Sequence, residues 1–330
     1  MNSVRFAGHG KIEIVEVPRP VPGQGEVLVK TVVSAICGSE LPCYRNDGMA
    51  GNGGHEAAGI ITELGNGVAG LSIGDRVGVS AISGCGHCEY CEKLQYTWCK
   101  NRAFHGNMHA EYFLAAANGC HILPPDINWN TGVLISGDGM GVPYHTSTKI
   151  IASDVQIVAI FGAGPIGLGN IMLESRLGRK TIAVDISPAR LKFAEQFGAV
   201  LTLNPTQCDA IAEIKKYTSG NGADIGIEAA GIKSTALNCF DAVKTGGQVI
   251  FNGEQGEVPL SISDCFIRRD ITATGSWFYH FGEYDRMLEM CRNGFQAQEL
   301  ISAEFPFEKA AEAYALFASG KSAKVVLKYA

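Results

Sequence analysis

Four cysteines, Cys85, Cys88, Cys91 and Cys99, lie in the segment CGHCEYCEKLQYTWC, which we call the four-cysteine loop (residues 85–99). Four thiolates on one loop suit a closed tetrahedral zinc site, which stabilises a segment with little core of its own. A ferredoxin-type iron–sulfur cluster opens with similar spacing, but its fourth cysteine follows after about three residues and precedes a proline. Here seven residues intervene and Lys100 follows. The spacing therefore predicts structural zinc.

A glycine-rich turn, GAGPIG, follows the apolar segment VQIVAIF. Its glycines permit a tight turn and a close backbone approach, and the N-terminus of the next helix offers N–H donors to a pyrophosphate. Asp185 ends the following apolar segment, where a carboxylate accepts from the adenosine ribose hydroxyls and repels a 2′-phosphate. The pattern predicts an NAD site rather than an NADP site. Its predicted contacts in the turn are Gly162, Gly164, Pro165, Ile166 and Gly167.

A second group of possible metal ligands comprises Cys37, in AICGSE, and His55 with Glu56, in GGHEAAG. A thiolate and a neutral imidazole are typical zinc ligands. These residues alone leave another interpretation open, because a single cysteine is often a small core residue and a single histidine is often a satisfied polar group.

The predicted secondary structure that positions these residues changes near residue 150, from mainly strands to alternating strands and helices. The first part contains short β-branched runs such as KIEIVEV and GEVLVKTVVSAI, which predict strands. Six later apolar segments alternate with helices and predict an α/β fold with a doubly wound parallel sheet of the Rossmann type. Ser187 and Pro188 predict the start of one crossover helix. The tail predicts a helix and a strand that pairs back with the first domain.

Composition limits the class of protein. The 330 residues are 46% hydrophobic, enough for two domains. A net charge of −6 argues against nucleic acid or an anionic membrane as the main partner. There is no apolar run long enough to span a bilayer and no signal-peptide pattern. The eleven cysteines are therefore expected as thiols or metal ligands in a reducing cytoplasm.

Taken together, the motifs resemble the zinc-dependent medium-chain alcohol/polyol dehydrogenase family. CGSE, GHEAAG, GDRV, the four-cysteine loop, HAEYF, GAGPIG, VDIS and SGKSAKVVLKY occur in the family's order along nearly the whole chain. The resemblance implies a catalytic domain with a mainly β, partly open, GroES-like barrel at residues 1–145 and 278–330. It implies an NAD-binding Rossmann domain at residues 146–277, and a homodimer or homotetramer.

The resemblance also implies roles for individual residues. Cys37 and His55 match two ligands of a catalytic zinc ion, and Glu56 matches a carboxylate that lies beside the metal or moves onto it. Ser39 matches the hydroxyl that passes the alcohol proton towards solvent. Glu40 departs from the family, which usually has aspartate at this position, where a carboxylate can orient the zinc-bound histidine.

The family takes its third zinc ligand from a loop just before the Rossmann domain. The candidates here are Asp126, Asp138, His145 and Asp154. Asp138, in LISGDGMGVPYH, stands where the family ligand belongs, and its neighbouring glycines allow the backbone to fold close around a metal. A loop acid without a ligand role is the alternative for Asp138.

Two basic residues match cofactor-binding positions in the family. Arg190 follows the ribose-binding acid, and Lys324 falls where the family often has a basic residue near the pyrophosphate. For Lys324 the alternative is a solvated charge at a strand end.

The resemblance implies an NAD-dependent zinc oxidoreductase with two zinc ions per chain. It transfers hydride from a secondary alcohol, polyol, sugar or cyclitol to NAD and gives a ketone and NADH. Candidate pocket residues are Tyr44, His105, Tyr144, Trp277 and Tyr279. The alternatives are a primary alcohol or aldehyde enzyme of the same family and a non-catalytic zinc and nucleotide binder. A nucleic-acid-binding zinc module is disfavoured because the four-cysteine loop has no basic patch.

Overall fold

The computed structural model describes all 330 residues and divides them into two compact units. Unit 1 comprises Met1–Gly141 and Phe278–Ala330, and unit 2 comprises Val142–Trp277. The sequence places the first boundary after residue 145, whereas the contacts divide the chain within the helix that begins at Asp138. None of the helices combines the length and the apolar character needed to cross a membrane.

The first 141 residues supply most of the strands of unit 1. These strands are β1 (Asn2–Gly8), β2 (Lys11–Glu16), β3 (Glu26–Ala35), β4 (Ala57–Leu64), β5 (Arg76–Val79), β6 (Ile82–Ser83), β7 (Ala103–Phe104), β8 (Tyr112–Ala116) and β9 (Cys120–Ile122). The helices that begin in this part are α1 (Leu41–Arg45), α2 (Glu89–Glu92), α3 (Trp129–Ile135) and α4 (Asp138–Thr148).

Unit 2 is a six-stranded sheet with crossover helices. Its strands are β10 (Ile157–Phe161), β11 (Lys180–Val184), β12 (Ala199–Leu203), β13 (Ala223–Glu228), β14 (Val243–Phe251) and β15 (Thr272–Gly275). Its helices are α5 (Pro165–Arg176), α6 (Pro188–Gln196), α7 (Ala210–Tyr217) and α8 (Lys233–Ala242).

The strand order β12-β11-β10-β13-β14-β15, with every pairing parallel, confirms the predicted doubly wound sheet. From β10 the strand order runs to β12 on one side, and it then continues from β13 to β15 on the other, so the order reverses between β10 and β13. Ligands of such sheets bind at this point, beyond the carboxyl ends of the strands. The side chain of Ser187 caps α6, as its position before a proline predicts.

The C-terminal segment returns to unit 1 and completes its main sheet. It contains α9 (Tyr284–Arg292), β16 (Ile301–Pro306), α10 (Ala310–Ala318) and β17 (Lys324–Lys328). β17 pairs antiparallel with β3, so the tail does pair back with the first domain. The seven-stranded sheet runs β16-β17-β3-β4-β5-β9, with β8 also on β3.

Strand β3 is the centre of this sheet because its ten residues serve three partners. Its first half pairs with β8, its last residues pair with β17, and β4 lies along the other side. The end of β3 therefore lies beside both the start of β4 and the start of β17. The residues that follow or precede these strand ends come together in the core of unit 1.

An aromatic group that we call the His121 stack supports the same unit from β9. The His121 ring lies between the rings of Phe281 and Tyr284, at centroid distances of 3.9 and 4.1 Å. Its Nε2 lies 3.2 Å from the Tyr279 hydroxyl. That hydroxyl donates to the Ser136 carbonyl, so Nε2 carries the proton and donates to the Tyr279 oxygen. His121 is therefore a neutral core residue.

Acid should destabilise unit 1 through His121, because burial lowers the pKa of this ring to about 3 from its ordinary 6.5. Below pH 6.5 the unfolded chain binds a proton that the folded chain does not. The free energy of unfolding should then fall by up to about 1.4 kcal/mol per pH unit. Denaturant unfolding between pH 7 and pH 4 of wild type and His121→Phe, which keeps a ring in the stack, measures this contribution. Equal slopes for the two proteins would contradict it.

Candidate active site and cofactor site

The structure brings together Cys37, His55, Glu56 and Asp138, which we call the Cys37 cluster. One ligand atom from each lies within 4.8 Å of all the others, and all four residues are buried. Oδ2 of Asp138 is 3.5 Å from Sγ of Cys37 and 3.2 Å from Nε2 of His55. A thiol, an imidazole and a carboxylate thus converge on one point.

Sheet register explains why residues distant in sequence meet here. Cys37 lies just after β3, and His55 and Glu56 lie just before β4. Because Ser34 pairs with Ala57, the end of β3 is adjacent to the start of β4. Asp138 joins them as the first residue of α4.

The donor set fits a zinc ion. Bond lengths of about 2.0–2.3 Å in a tetrahedral site place neighbouring ligand atoms about 3.3–3.8 Å apart, close to the two distances from Asp138. The other Asp138 oxygen, Oδ1, is buried and has no hydrogen-bond partner. The Nδ1 of His55 donates to the Gly53 carbonyl at 2.9 Å, which leaves Nε2 directed at the cluster as a possible ligand atom.

The charges of the Cys37 cluster act strongly on one another. Burial alone lowers the pKa of His55, but the nearby Cys37 and Asp138 outweigh it and raise that pKa well above its ordinary value. Burial raises the pKa of Asp138, and its contact with His55 reverses the direction and lowers it. Three of the four residues in this cluster are acidic groups that can become anions. A bound cation would supply positive charge that stabilises them.

Two partners hold the Glu56 carboxylate in its place beside the other three residues. Its Oε1 accepts from the Lys324 ammonium, and its Oε2 accepts from the backbone N–H of Gly139 at 3.1 Å. Lys324 and Glu56 are both 0% exposed. The sequence-based prediction placed Lys324 near a cofactor pyrophosphate, but the ammonium is buried at the first residue of β17 and is paired with Glu56.

The glycines that flank Asp138 are required by close packing. A Cβ on Gly137 would lie 2.9 Å from Oε2 of Glu56, and a Cβ on Gly141 would lie 2.4 Å from the Tyr279 ring. Neither has a positive φ. These small residues let the backbone around Asp138 pass tightly between Glu56 and Tyr279.

The four-cysteine loop forms a second group of converging ligands, as its spacing predicts. The four sulfur atoms lie within 4.8 Å of one another. Sγ of Cys91 is 3.5 Å from Sγ of Cys88 and 3.9 Å from that of Cys85, near the separation of about 3.8 Å expected for tetrahedral Zn–S bonds of about 2.3 Å. Burial and the neighbouring thiols raise the pKa of Cys91 to about 12, so a cation is needed to hold four thiolates.

In unit 2, the glycine turn joins β10 to α5, and its three glycines meet different surroundings. Gly162 has a φ of +98°, and a Cβ there would lie 2.7 Å from the Ala230 nitrogen. A Cβ on Gly167 would lie 1.8 Å from the Gly162 carbonyl oxygen. Gly164 lies directly before α5, and a Cβ there would have no other atom within 4 Å. Beside Gly164 a pyrophosphate can approach the helix N-terminus.

Asp185 follows β11 and is nearly buried beside this turn. Its Oδ2 accepts from the Ala163 N–H at 2.7 Å and its Oδ1 accepts from the Ser187 N–H at 2.8 Å. Nη1 of Arg190 lies 3.8 Å from Oδ2. The predicted cofactor residues Asp185 and Arg190 are thus brought next to the glycine turn.

Comparison with known proteins places this arrangement in a family. The sequence profile for the alcohol dehydrogenase GroES-like domain matches residues 23–125, and the zinc-binding dehydrogenase profile matches residues 165–293. L-threonine 3-dehydrogenase of Pyrococcus abyssi is 31% identical over 332 residues, which cover 95% of this chain and 94% of that protein. The chain belongs to the zinc-dependent medium-chain alcohol dehydrogenase family.

Other members of the family extend over nearly the same length. The uncharacterized zinc-type alcohol dehydrogenase-like protein YphC of Escherichia coli is 29% identical and covers 100% of this chain and 99% of its own. Probable D-xylulose reductase A of Emericella nidulans is 29% identical over 94% of this chain and 91% of its own. The solved alcohol dehydrogenase TADH from Thermus sp. ATN1 has a TM-score of 0.90, 26% identity and complete coverage of both chains. These likenesses confirm the predicted fold class.

The remaining candidates for a third ligand lie elsewhere. Asp126 is exposed and paired with Arg292 at 2.9 Å, and Asp154 is exposed before β10. His145 is buried in the part of α4 that belongs to unit 2. Ser39 lies two residues after Cys37, exposed in a 3-10 turn.

Glu40 contacts a partner that family-based reasoning missed. Its carboxylate lies 3.2 Å from Nε2 of the buried His109 and also accepts from the Tyr314 hydroxyl. The nearest His55 nitrogen, Nδ1, is 3.6 Å away and is already bonded to the Gly53 carbonyl. The longer side chain of glutamate therefore interacts mainly with His109. The histidine of HAEYF was the only sequence signal for this contact.

A second missed residue, Glu228, organises the loop that contacts Gly162. It ends β13, is 0% exposed, and its Oε1 accepts from the N–H groups of Ala230 and Gly231 at 3.0 and 2.9 Å. The Thr235 hydroxyl donates to the same oxygen at 2.6 Å. The sequence signal was a lone acid at the end of ADIGIEA.

Two predicted pocket tyrosines proved to be core residues. Tyr279 is buried in the His121 stack, and Tyr44 stacks on Tyr314 at a centroid distance of 5.7 Å. Their positions close to site residues in the sequence gave no information on which way the rings face.

Proposed function

We propose that this protein is an NAD-dependent zinc oxidoreductase that converts a secondary alcohol, polyol, sugar or cyclitol into a ketone. The observation that carries the proposal is the contact of one Asp138 oxygen with both Cys37 and His55 in a buried cluster. Family membership supports oxidoreductase chemistry on alcohols.

Cys37, His55 and Asp138 would hold the catalytic zinc ion, and the four-cysteine loop would hold a structural one, giving two per chain. When bound, the catalytic ion supplies a Lewis acid that lowers the pKa of an alcohol hydroxyl. Three protein ligands are typical of catalytic zinc sites, which keep one position open. Two of these three ligands are anionic, which tempers the acidity relative to a site of three histidines.

Residues of the chain would transfer the alcohol proton and hold the side chains around the metal site in position. The Ser39 hydroxyl is exposed two residues after Cys37, and it would accept the alcohol proton and release it to water. Lys324 and the Gly139 N–H hold Glu56 beside the proposed ligands. NAD would supply the hydride acceptor at this site, so that oxidation of the alcohol would give a ketone, NADH and one proton.

NAD rather than NADP is favoured by Asp185. Its carboxylate is fixed by two backbone N–H groups beside the glycine turn, where it can accept from the ribose hydroxyls and repel a 2′-phosphate. Gly162, Gly164, Pro165, Ile166 and Gly167 form the turn for the pyrophosphate, and Arg190 lies at the ribose end.

The names of two relatives support the proposed substrate class. One relative is a probable D-xylulose reductase and another an L-threonine 3-dehydrogenase, so both names refer to a carbonyl or hydroxyl on an internal carbon. A primary alcohol or aldehyde enzyme of the same family is the second candidate, and a non-catalytic binder is the third. The buried ligand set argues against the third because it retains the complete set of donors.

Two further proposals concern the state of the protein. None of the eleven cysteines forms a disulfide, which suits a reducing compartment such as the cytoplasm. The family resemblance favours a homodimer or homotetramer that acts on a small molecule, without nucleic acid or membrane as partner.

Steady-state kinetics with a panel of polyols, sugars, cyclitols and primary alcohols tests the function. We expect kcat/KM at least about 100-fold higher with NAD than with NADP, equivalent to about 2.7 kcal/mol, because the Asp185 carboxylate repels the extra phosphate. Asp185→Ser should reduce this preference, and Asp209→Ser, which exchanges one N-cap residue of α7 for another at an exposed position, should not. A preference for NADP, or turnover only with primary alcohols, would contradict the proposal.

A further inference from the structure

We propose that Tyr279 is a positioning residue that fixes the third metal ligand, Asp138, in the Cys37 cluster. The inference rests on the proposed metal-binding role of that cluster. Tyr279 lies outside the set of ligands, and its sequence position marked it only as a possible pocket residue.

Tyr279 contacts the backbone on both sides of Asp138. Its hydroxyl donates to the Ser136 carbonyl at 2.5 Å, two residues before the ligand. Its ring lies against Gly141, three residues after the ligand, where even a methyl group would not fit. Tyr279 is 1% exposed and Ser136 is 0% exposed, so water does not take the place of either contact.

The backbone between these two contacts is a junction between helices. α3 ends at Ile135, and α4 begins at Asp138. The Ser136 N–H still bonds to the Gly132 carbonyl at 3.1 Å, whereas the Ser136 carbonyl accepts from the Tyr279 hydroxyl. The Ser136 hydroxyl already bonds to the Gly132 carbonyl at 2.7 Å. The Tyr279 bond therefore determines where the peptide before Gly137 lies, and through it where the Asp138 side chain begins.

Tyr279 is itself held by the His121 stack. The Nε2–H of His121 donates to the Tyr279 oxygen at 3.2 Å, and His121 is fixed between Phe281 and Tyr284. Phe281 also stacks on Tyr96 of the four-cysteine loop, at a centroid distance of 5.0 Å. A continuous set of packed rings thus runs from that loop to the peptide before Asp138.

Removal of the hydroxyl should weaken metal binding while the ligands remain. Without it the buried Ser136 carbonyl loses its donor, and the junction shifts to recover a hydrogen bond. Metal sites require each ligand atom to lie at a nearly fixed distance and angle from the ion. Loss of such supporting contacts therefore commonly lowers metal affinity by about 10–100-fold.

The test compares Tyr279→Phe with a matched control, Tyr284→Phe. Both hydroxyls donate to a backbone carbonyl and both rings stack on or beside His121, but Tyr284 bonds to the Ile122 carbonyl, far along the chain from Asp138. Cobalt(II) is bound to the full-length, metal-depleted protein, and its visible d–d absorption is recorded during titration. We expect Tyr279→Phe to lower the affinity of the Cys37 cluster by about 10–100-fold and to shift its absorption bands, with the bands of Tyr284→Phe unchanged.

The outcomes separate the inference from the proposed function. If Tyr279→Phe binds cobalt with wild-type affinity and bands, the positioning role is overturned and the metal site stands. If wild-type protein binds no cobalt at the Cys37 cluster, both are overturned. Should Tyr279→Phe fail to fold, His121→Phe keeps the stacked ring and removes only the donor to Tyr279. A smaller loss of cobalt affinity in that variant supports the role, and wild-type affinity overturns it.

Discussion

Asp138→Ala is expected to lower kcat/KM for alcohol oxidation by about 1,000-fold or more, which corresponds to about 4 kcal/mol of lost transition-state stabilisation. Asp138 Oδ2 is the atom that approaches both Cys37 and His55, so its removal leaves two ligands for the catalytic zinc. Two ligands do not hold the ion in a defined geometry. Steady-state NADH formation measures the change.

The defect should be confined to the chemistry on the alcohol. NADH binding, followed by fluorescence, should match wild type because the glycine turn and Asp185 lie in unit 2. Asp126→Ala is the matched control, since it removes an exposed aspartate whose partner is Arg292. Wild-type turnover in Asp138→Ala, or an equal loss in Asp126→Ala, would refute the ligand assignment.

Lys324→Met is expected to lower the free energy of unfolding by about 3–5 kcal/mol, the usual cost of leaving one member of a buried ion pair alone. Lys324 and Glu56 are both fully buried, and their contact keeps charge inside the core of unit 1. Burial and the nearby Asp138 raise the pKa of Glu56, whereas Lys324 lowers it. Without Lys324 this carboxylate must bind a proton or distort its surroundings.

The double variant Lys324→Met/Glu56→Gln separates lost packing from uncompensated charge. A neutral amide removes the buried charge, so we expect it to recover most of the stability lost in the single variant. Lys328→Met is the control, because Lys328 lies on the same strand and its partner Glu304 is partly exposed. Denaturant unfolding of wild type and the three variants provides the comparison. A single variant as stable as wild type, or a double variant no more stable than the single one, would argue against the pair's proposed role.

Motifs whose parts are close in sequence could be predicted well. The four-cysteine loop and the turn GAGPIG each lie within one short segment. The structure brings the four sulfur atoms together and forms a tight turn between β10 and α5. The parallel sheet was also predictable, because most of its strands are apolar segments between turn signals. In these cases the residues within one short segment are sufficient to predict the local structure.

Contacts between distant segments could not be predicted in the same way. Glu56 and Lys324 are 268 residues apart, and Ser136 and Tyr279 are 143 apart. The β17–β3 register decides the first contact and the aromatic packing decides the second. A lysine at a strand start is normally solvated, so nothing local indicated that Lys324 would be buried. The resemblance selected Asp138, which the structure brings together with Cys37, His55 and Glu56, but it said nothing about Tyr279.

The most direct test of the account is the zinc content of purified full-length chain. We predict two zinc ions per chain in wild type and one in Asp138→Ala, the remaining ion being held by the four-cysteine loop. Cys99→Ser should instead lose the ion of that loop. A wild-type chain with fewer than two zinc ions, or Asp138→Ala with two, would contradict the central claim that Cys37, His55 and Asp138 form a catalytic zinc site.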